Sequence, residues 1–286
     1  MTENTYGKAE VRLVRVVRDG PRHELRDLTV DVRLRGDFAH VYEDGSNEGT
    51  PATDTMKNTV FALAREHLSR GSVEDFGRVL ADHLVASGER VHGTTVTLTE
   101  HPWTRLPGAG TAGDGLHDHA FRRDASGDHV AWVAVDGDVA TVAAGIQDLF
   151  VLRTTGSGFV GFQRDALTTL PETDDRILAT VVDARWTYAP DAVAAGIDYG
   201  AAWTSIHATL VERFADHFSP SVQTTLHRIA VGILEAHPEV VDVTIELPNR
   251  HHLLVDLAPF GLENPGEVFV ATQDPFGVIS ATVART

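Results

Sequence analysis

Cysteine is absent from the 286-residue chain. That excludes disulfides, thiol nucleophiles, thiolate zinc sites and iron–sulfur clusters. Positive charge is scarce: 24 Lys and Arg stand against 41 Asp and Glu, a formal net charge of −17. Nucleic acids and anionic membranes bind basic faces, so neither is an expected partner. No apolar run approaches the ~20 residues of a membrane-spanning helix. Met1-Thr2-Glu3-Asn4-Thr5 lacks the apolar region of a signal peptide, and Val283-Ala284-Arg285-Thr286 carries no peroxisomal or prenylation signal. The expectation is a soluble cytoplasmic protein. Lysine is scarce as well: only Lys8 and Lys57 are present, the other 22 Lys and Arg positions being Arg. A buried or crowded amine can lose its proton, whereas a guanidinium effectively cannot. The two lysines therefore raise the question of what an amine does here.

What is present is ordinary globular material, 42% hydrophobic, long enough for two domains or one large one. Glu10–Leu13 and Leu28–Leu34 alternate apolar with polar, the period of strands with one wet face, with a turn at Gly20-Pro21 between them. Val60, Leu63, Ala64 and Leu68 recur at helical spacing, with Thr53 or Asp54 as N-cap. Gly71-Ser72 interrupts, Val73, Phe76, Leu80 and Leu84 resume the stripe, and Gly88 stops it. Strand patterns return over Thr95–Glu100 and around Trp132–Val135, and Asp136-Gly137 reads as a hairpin turn. The second half repeats the order. Strands are expected at Asp148–Arg153 and Ile177–Trp186, and a helix over Tyr199–Phe218. Ser219-Pro220 reads as a cap and first-turn proline for a helix carrying Leu226, Ile229, Ala230, Ile233 and Leu234. Val241–Leu247 is a strand ended by Pro248, and a last pair covers about His252–Leu257 and Val268–Val283. Each half thus reads strand, strand, helix, helix, strand, strand. The pattern predicts an α+β fold, antiparallel sheets with helices on one face, in modules of residues 1–145 and 146–286 forming one continuous unit.

Four blocks then become recognisable in order. Ala52-Thr53-Asp54-Thr55-Met56-Lys57-Asn58-Thr59 is the first. Gly158-Phe159-Val160-Gly161-Phe162, with Asp165, Thr168-Thr169-Leu170 and Asp175-Arg176-Ile177-Leu178, is the second. Phe218-Ser219-Pro220-Ser221-Val222-Gln223 and Leu247-Pro248-Asn249-Arg250-His251 complete the set. Together they resemble the signatures of the urate oxidases (uricases). The resemblance implies tandem tunnelling-fold modules that assemble into a barrel-like homotetramer, with active sites at the subunit interfaces. It implies a cofactor-independent, metal-free oxidation of urate by dioxygen and water, in purine degradation, to 5-hydroxyisourate and hydrogen peroxide.

Urate is a flat anion edged with carbonyl and N–H groups, and each feature has a candidate partner. A guanidinium such as Arg176 can pair bidentately with a carbonyl and ring-nitrogen edge, though beside Asp174 and Asp175 it also reads as an ion pair. Gln223, in a helical first turn, can give and take one hydrogen bond, and the free N–H of Val222 faces an anion favourably. Phe159 is either a core partner of Phe162 or a stacking plate under the purine; the resemblance implies the plate. Thr53 and Asp54, read as the start of the equivalent helix of the first half, are implied to close on the same ligand from a neighbouring subunit. Lys8 and Thr53 are implied to form a proton relay with His251, and a desolvated amine can be neutral near pH 7. Asn249, with Thr53, is implied to hold dioxygen and then water above the purine. Lys57 is given no chemistry and His252 is left out.

Two rivals stand beside this. Leu116-His117-Asp118-His119 could serve a metal-dependent hydrolase if His117 and His119 lie on one face of a strand. A non-catalytic purine- or pterin-binding assembly of the same fold is the other. Other families of the tunnelling fold anchor the heterocycle with a glutamate; the resemblance implies that Gln223 stands there in this chain, which argues for urate oxidation.

Overall fold

A computed structural model describes residues 3–69 and 71–285; the terminal readings at Met1, Thr2 and Thr286 lie outside them. In chain order the elements are strands β1 (Thr5–Val17) and β2 (Glu24–Gly36), helices α1 (Ala39–Glu43), α2 (Thr53–His67) and α3 (Val73–Val85), and strands β3 (Val91–Glu100), β4 (Trp103–Pro107), β5 (Leu116–Arg123), β6 (Asp128–Asp136), β7 (Val139–Arg153) and β8 (Leu178–Tyr188). There follow helices α4 (Pro190–Ala195), α5 (Tyr199–Ala215) and α6 (Val222–Ala236), then strands β9 (Val240–Asn249), β10 (His252–Leu254), β11 (Phe269–Ala271) and β12 (Gly277–Ala284). Two compact units result. One runs to Ile146 and takes in Trp186–Thr204; the other holds Gln147–Arg185 and the chain from Ser205 onward.

In the first unit the strand order is β1-β2-β3-β6-β7. The pairs β1–β2, β2–β3 and β3–β6 are antiparallel. Leu28, Val30, Val32 and Leu34 of β2 are fully buried, and Val30 and Val32 lie opposite Leu98 and Val96 of β3. Helix α3 packs on β3 and β6 with Val73, Phe76, Leu80 and Leu84. It can do so closely because residue 77 is glycine: a Cβ there would lie 2.7 Å from Leu98 and 2.8 Å from Val133. Each such buried Val, Leu or Phe contributes about 1.5–3 kcal/mol. The second unit orders its strands β7-β8-β9-β12. Helix α6 lays Leu226, Ile229, Ile233 and Leu234 against β9 and β12, where Val243, Ile245 and Leu247 are buried.

The arginine-rich composition has a structural use. Helix C-termini leave carbonyls without partners at the negative end of the dipole, and a guanidinium fork can serve several at once. Arg26 reaches the Leu68 and Gly71 carbonyls beyond α2 while paired with Glu100. Arg153 donates to the carbonyls of Phe214 and His217 at the end of α5 and to that of Gly156 in the loop after β7. Arg285 donates to those of Leu234, His237 and Val240 at the end of α6. A single ammonium fits such multi-carbonyl clamps poorly.

Several sequence expectations are corrected. The N-cap of α2 is Ala52, not Thr53 or Asp54, which are its first two helical residues, and no side chain caps it. Helix α3 ends at Val85, before Gly88, and opens with a capping box between Ser72 and Asp75. Helix α5 ends at Ala215 rather than Phe218. The cap of α6 is Ser221, whose Oγ accepts from Thr224 N–H at 3.2 Å; Pro220 lies outside the helix. Pro248 sits within β9, opposite Val278, rather than ending it. The final pair resolves into three strands, β10 with β11 and β12 with β9. Among the described residues no helix is long and apolar enough to cross a membrane.

Candidate active site

In the second unit the loop between β7 and β8 folds back through two isolated bridges, Ser157 with Ser219 and Phe159 with Thr173. Phe159 N–H donates to the Thr173 carbonyl at 2.7 Å and Arg176 N–H to the Ser157 carbonyl at 2.8 Å. Gly158 lies between: a Cβ there would press on the Thr173 and Asp174 carbonyls at 3.1 and 3.2 Å. Asp175 braces the same turn, accepting from Thr155 Oγ1 at 2.8 Å and Gly156 N–H at 3.2 Å. Both bonds fall on its Oδ1. The Arg176 guanidinium carbon stands 5.4 Å from the Phe159 ring centre, and burial lowers its pKa from the ordinary value. Phe159 also stacks on Phe162, centroids 4.9 Å apart at 10°, so it is both a packed ring and a half-exposed one.

Phe159 and Arg176 line a cavity of about 570 Å³, together with Thr173, Asn249 and His251. That volume suits a small planar ligand. Asn249 is the last residue of β9. Beyond it Arg250 N–H donates to the Ala179 carbonyl at 2.9 Å, and Thr272 N–H and Oγ1 donate to the His251 carbonyl at 2.9 and 3.1 Å. The backbone carrying Asn249 and His251 is thereby fixed. Val222 and Gln223 are the first two residues of α6, the former buried and the latter exposed; neither lines the cavity.

Lys8, Thr53 and Asp54 belong to the first unit and do not line that cavity either. Lys8 lies in β1 opposite Val32, just before a register shift that ends at Val11. Asp54 pairs with Lys57 and accepts from Asn58 Nδ2 at 3.1 Å. Lys57, through its hydrogen bond and charge, holds the Asp54 carboxyl below the usual range, and Lys8 pushes the same way. Lys57 thus sits in an exposed ion pair on the surface of the signature helix. Sequence reading missed Tyr6, whose hydroxyl donates to the Pro51 carbonyl at 2.9 Å. That bond joins the strand two residues before Lys8 to the loop two residues before Thr53. Burial pushes the Tyr6 phenol up to about 12, so it remains a donor. Forty-five residues separate the pair, and no local pattern announces it. Thr53 and Asp54 also do not begin the counterpart of α6. By element order and packing that counterpart is α3, whose start at Ser72 is serine-capped as α6 is at Ser221.

The His117–His119 segment lies on β5, with the two rings edge to face at 4.5 Å and His119 N–H donating to His117 Nδ1 at 3.2 Å. Asp118 between them is taken by Thr111 N–H and Oγ1 at 3.0 and 3.1 Å. Among the described residues no group of three His, Asp or Glu is placed to hold a metal ion.

A family model described as Uricase matches residues 4–134 and 142–280. The uricase of Arthrobacter globiformis is 42% identical over 283 residues, covering 99% of this chain and 89% of that protein. The uricase of Dictyostelium discoideum is 37% identical over 289 residues, covering 100% of this chain and 98% of that protein. A crystal structure of uricase from Arthrobacter globiformis matches with a TM-score of 0.92 at 42% identity, covering 100% of this chain and 94% of that one. With the signature blocks, the cavity and the near-complete match of both sequence and fold together, the chain belongs to the uricase family.

Proposed function

We propose that this urate oxidase converts urate, dioxygen and water to 5-hydroxyisourate and hydrogen peroxide without metal or flavin, in a site built by two copies of the chain. One copy contributes Phe159, Arg176, Val222, Gln223, Asn249 and His251; the other contributes Lys8, Thr53 and Asp54. The observation that carries this reading is the single cavity shared by Phe159, Arg176, Asn249 and His251. Arg176 and Gln223 hold the polar edge of the purine, with the Val222 N–H and Asp54 closing around it, and Phe159 stacks beneath, worth about 1–3 kcal/mol by analogy with base–aromatic stacking. The Lys8–Thr53 pair, completed by His251, takes a proton from urate. The resulting dianion is electron-rich and reduces dioxygen, held with Thr53 by Asn249, to a peroxide adduct at the bridging carbon. Water then replaces peroxide, giving one hydroxylated product and one H2O2 per O2. The protein supplies orientation, proton transfer and exclusion of bulk water.

The chain acts, on this reading, as a cytoplasmic homotetramer of tandem tunnelling-fold modules, residues 1–145 and 146–286, closing a barrel. Supporting an assembly, apolar side chains are exposed along the C-terminal stretch, among them Leu253, Leu254, Phe260, Leu262 and Val270; clustered exposed apolar surface marks interfaces. The test follows urate absorbance, oxygen uptake and peroxide release in metal-free buffer. Equal consumption of urate and O2 with stoichiometric H2O2, undiminished by chelators, is expected. Turnover that a chelator abolishes and added metal restores would overturn it.

A further inference from the structure

The segments that carry Phe159, Arg176 and the start of α6 meet at a buried polar hub which none of the proposed contacts uses. Ser157, Ser219 and Thr225 are fully buried, three of few polar residues so enclosed. Ser219 N–H donates to the Gly156 carbonyl and Gly158 N–H donates to the Ser219 carbonyl, both at 2.9 Å. Arg176 reaches the same place through its backbone N–H to the Ser157 carbonyl and its Nε to Ser157 Oγ, at 2.8 and 3.4 Å.

The proton count fixes the direction of the side-chain chain. Ser219 Oγ donates its one proton to the Ser221 carbonyl at 3.0 Å. It therefore accepts from Thr225 Oγ1, at 2.8 Å. Thr225 has then used its own proton and must accept from His217 Nε2, at 2.9 Å. His217 is thus the Nε2–H tautomer, and burial, with the Arg153 and Arg228 charges near, lowers its pKa and favours the neutral ring. The line His217, Thr225, Ser219, Ser221 ends on the cap residue of α6, immediately before Val222 and Gln223.

We infer that Thr225, with His217 and Ser219, is a positioning residue for urate: the one-way hydrogen-bond line locks the first turn of α6 onto the Ser157–Ser219 bridge and so sets Gln223 and Val222 against Arg176 and Phe159. The inference rests on the proposed site, since it concerns how those contacts are held in register. A buried line with every hydroxyl used admits one arrangement, and displacing a binding group by ~1 Å is costly to recognition.

Thr225→Val keeps the side-chain shape and removes both hydrogen bonds. It should raise KM for urate, and Kd for an inert xanthine analogue, at least tenfold, while kcat changes less than threefold, because binding contacts are lost uniformly. Thr225→Ser keeps the hydroxyl and should return both to within twofold. A folded Thr225→Val with a lower Tm but unchanged KM and Kd makes the line merely structural and overturns the inference; so does a Thr225→Ser no better than Thr225→Val. Should Thr225→Val fail to fold, His217→Gln, which keeps an N–H donor, is compared with His217→Leu for the same split in KM. Arg176→Gln separates the two readings. If it binds the analogue normally, the site itself is misassigned; if it loses the analogue while Thr225→Val does not, only the positioning role fails.

Discussion

The first strand of each half carries the same irregularity, used differently. In β1, Glu10 has φ 56° and its N–H donates to Asp31 Oδ1 of β2 at 2.6 Å. In β7, Asp148 has φ 60° and its N–H donates to Asp183 Oδ1 of β8 at 2.9 Å. Apart from glycines these are the positive-φ residues among the described ones. Each follows a glycine by three positions, Gly7 and Gly145. Each left-handed residue is held by an aspartate on the next strand. What differs is the residue two places before it. In the first half this is Lys8, half-buried; in the second it is Ile146, fully buried. The same left-handed irregularity follows an amine in one half and a core side chain in the other. On the proposed function, only the first of these two positions takes part in proton transfer.

The largest expected effect tests that difference directly. Lys8→Met should lower turnover by about 10²–10⁴, the usual worth of a positioned base, while an inert xanthine analogue still binds. Full turnover in Lys8→Met would end the assignment. The reciprocal change, Ile146→Lys, should supply no second site and should instead destabilise the fold by about 3 kcal/mol or more, because it buries an unpaired cation. Thermal unfolding measures it, and an unaltered midpoint would mean that the side chain at 146 escapes the core that encloses Ile146.

Legibility in the sequence followed the range of the interactions. Strand alternation and helical stripes report local burial, so Leu28–Leu34 and the Leu226–Leu234 face were readable, and they are buried. Helix boundaries were less so, because Ser219-Pro220-Ser221 contains two serines able to cap and only tertiary contact chooses. Ser219 Oγ is drawn into the interior by Thr225, which leaves Ser221 to cap. The strand through Pro248 was hidden by the proline itself, which has no N–H for the ladder. The resemblance supplied Arg176 and Phe159 as site residues, but not the Tyr6–Pro51 bond or the His217–Thr225–Ser219 line, of whose members only Ser219 lies in a quoted signature block. The left-handed residues were invisible for the same reason: nothing in Glu10 or Asp148 forecasts that backbone, since both are held there by an aspartate 21 or 35 residues away.

A subtler contrast is expected from those two aspartates. Asp31→Ala and Asp183→Ala each leave a backbone N–H without its acceptor, at about 1 kcal/mol of stability. Only Asp31→Ala should also slow turnover, since only that N–H adjoins Lys8; equal kinetic loss in both would erase the asymmetry. The smallest effect is a pH dependence at Asp183. Burial, with the Asp148 and Glu246 charges, raises its carboxyl pKa, against the opposing hydrogen bond from Asp148 N–H. A carboxyl raised in the folded state favours folding fully only below its unfolded value of ~3.9, and that contribution is lost as pH climbs through the folded value. At neutral pH the carboxylate is thus held at a cost. Asp183→Asn removes the charge and keeps an oxygen for Asp148 N–H, so it should melt slightly above the parent at pH 7, with the advantage shrinking as pH falls toward 4. A gain that persists unchanged down to pH 3.5 would assign the effect to packing rather than to charge. In that case Asp183 would serve the Asp148 N–H as an acceptor alone, and its ionisation would have no part in the fold.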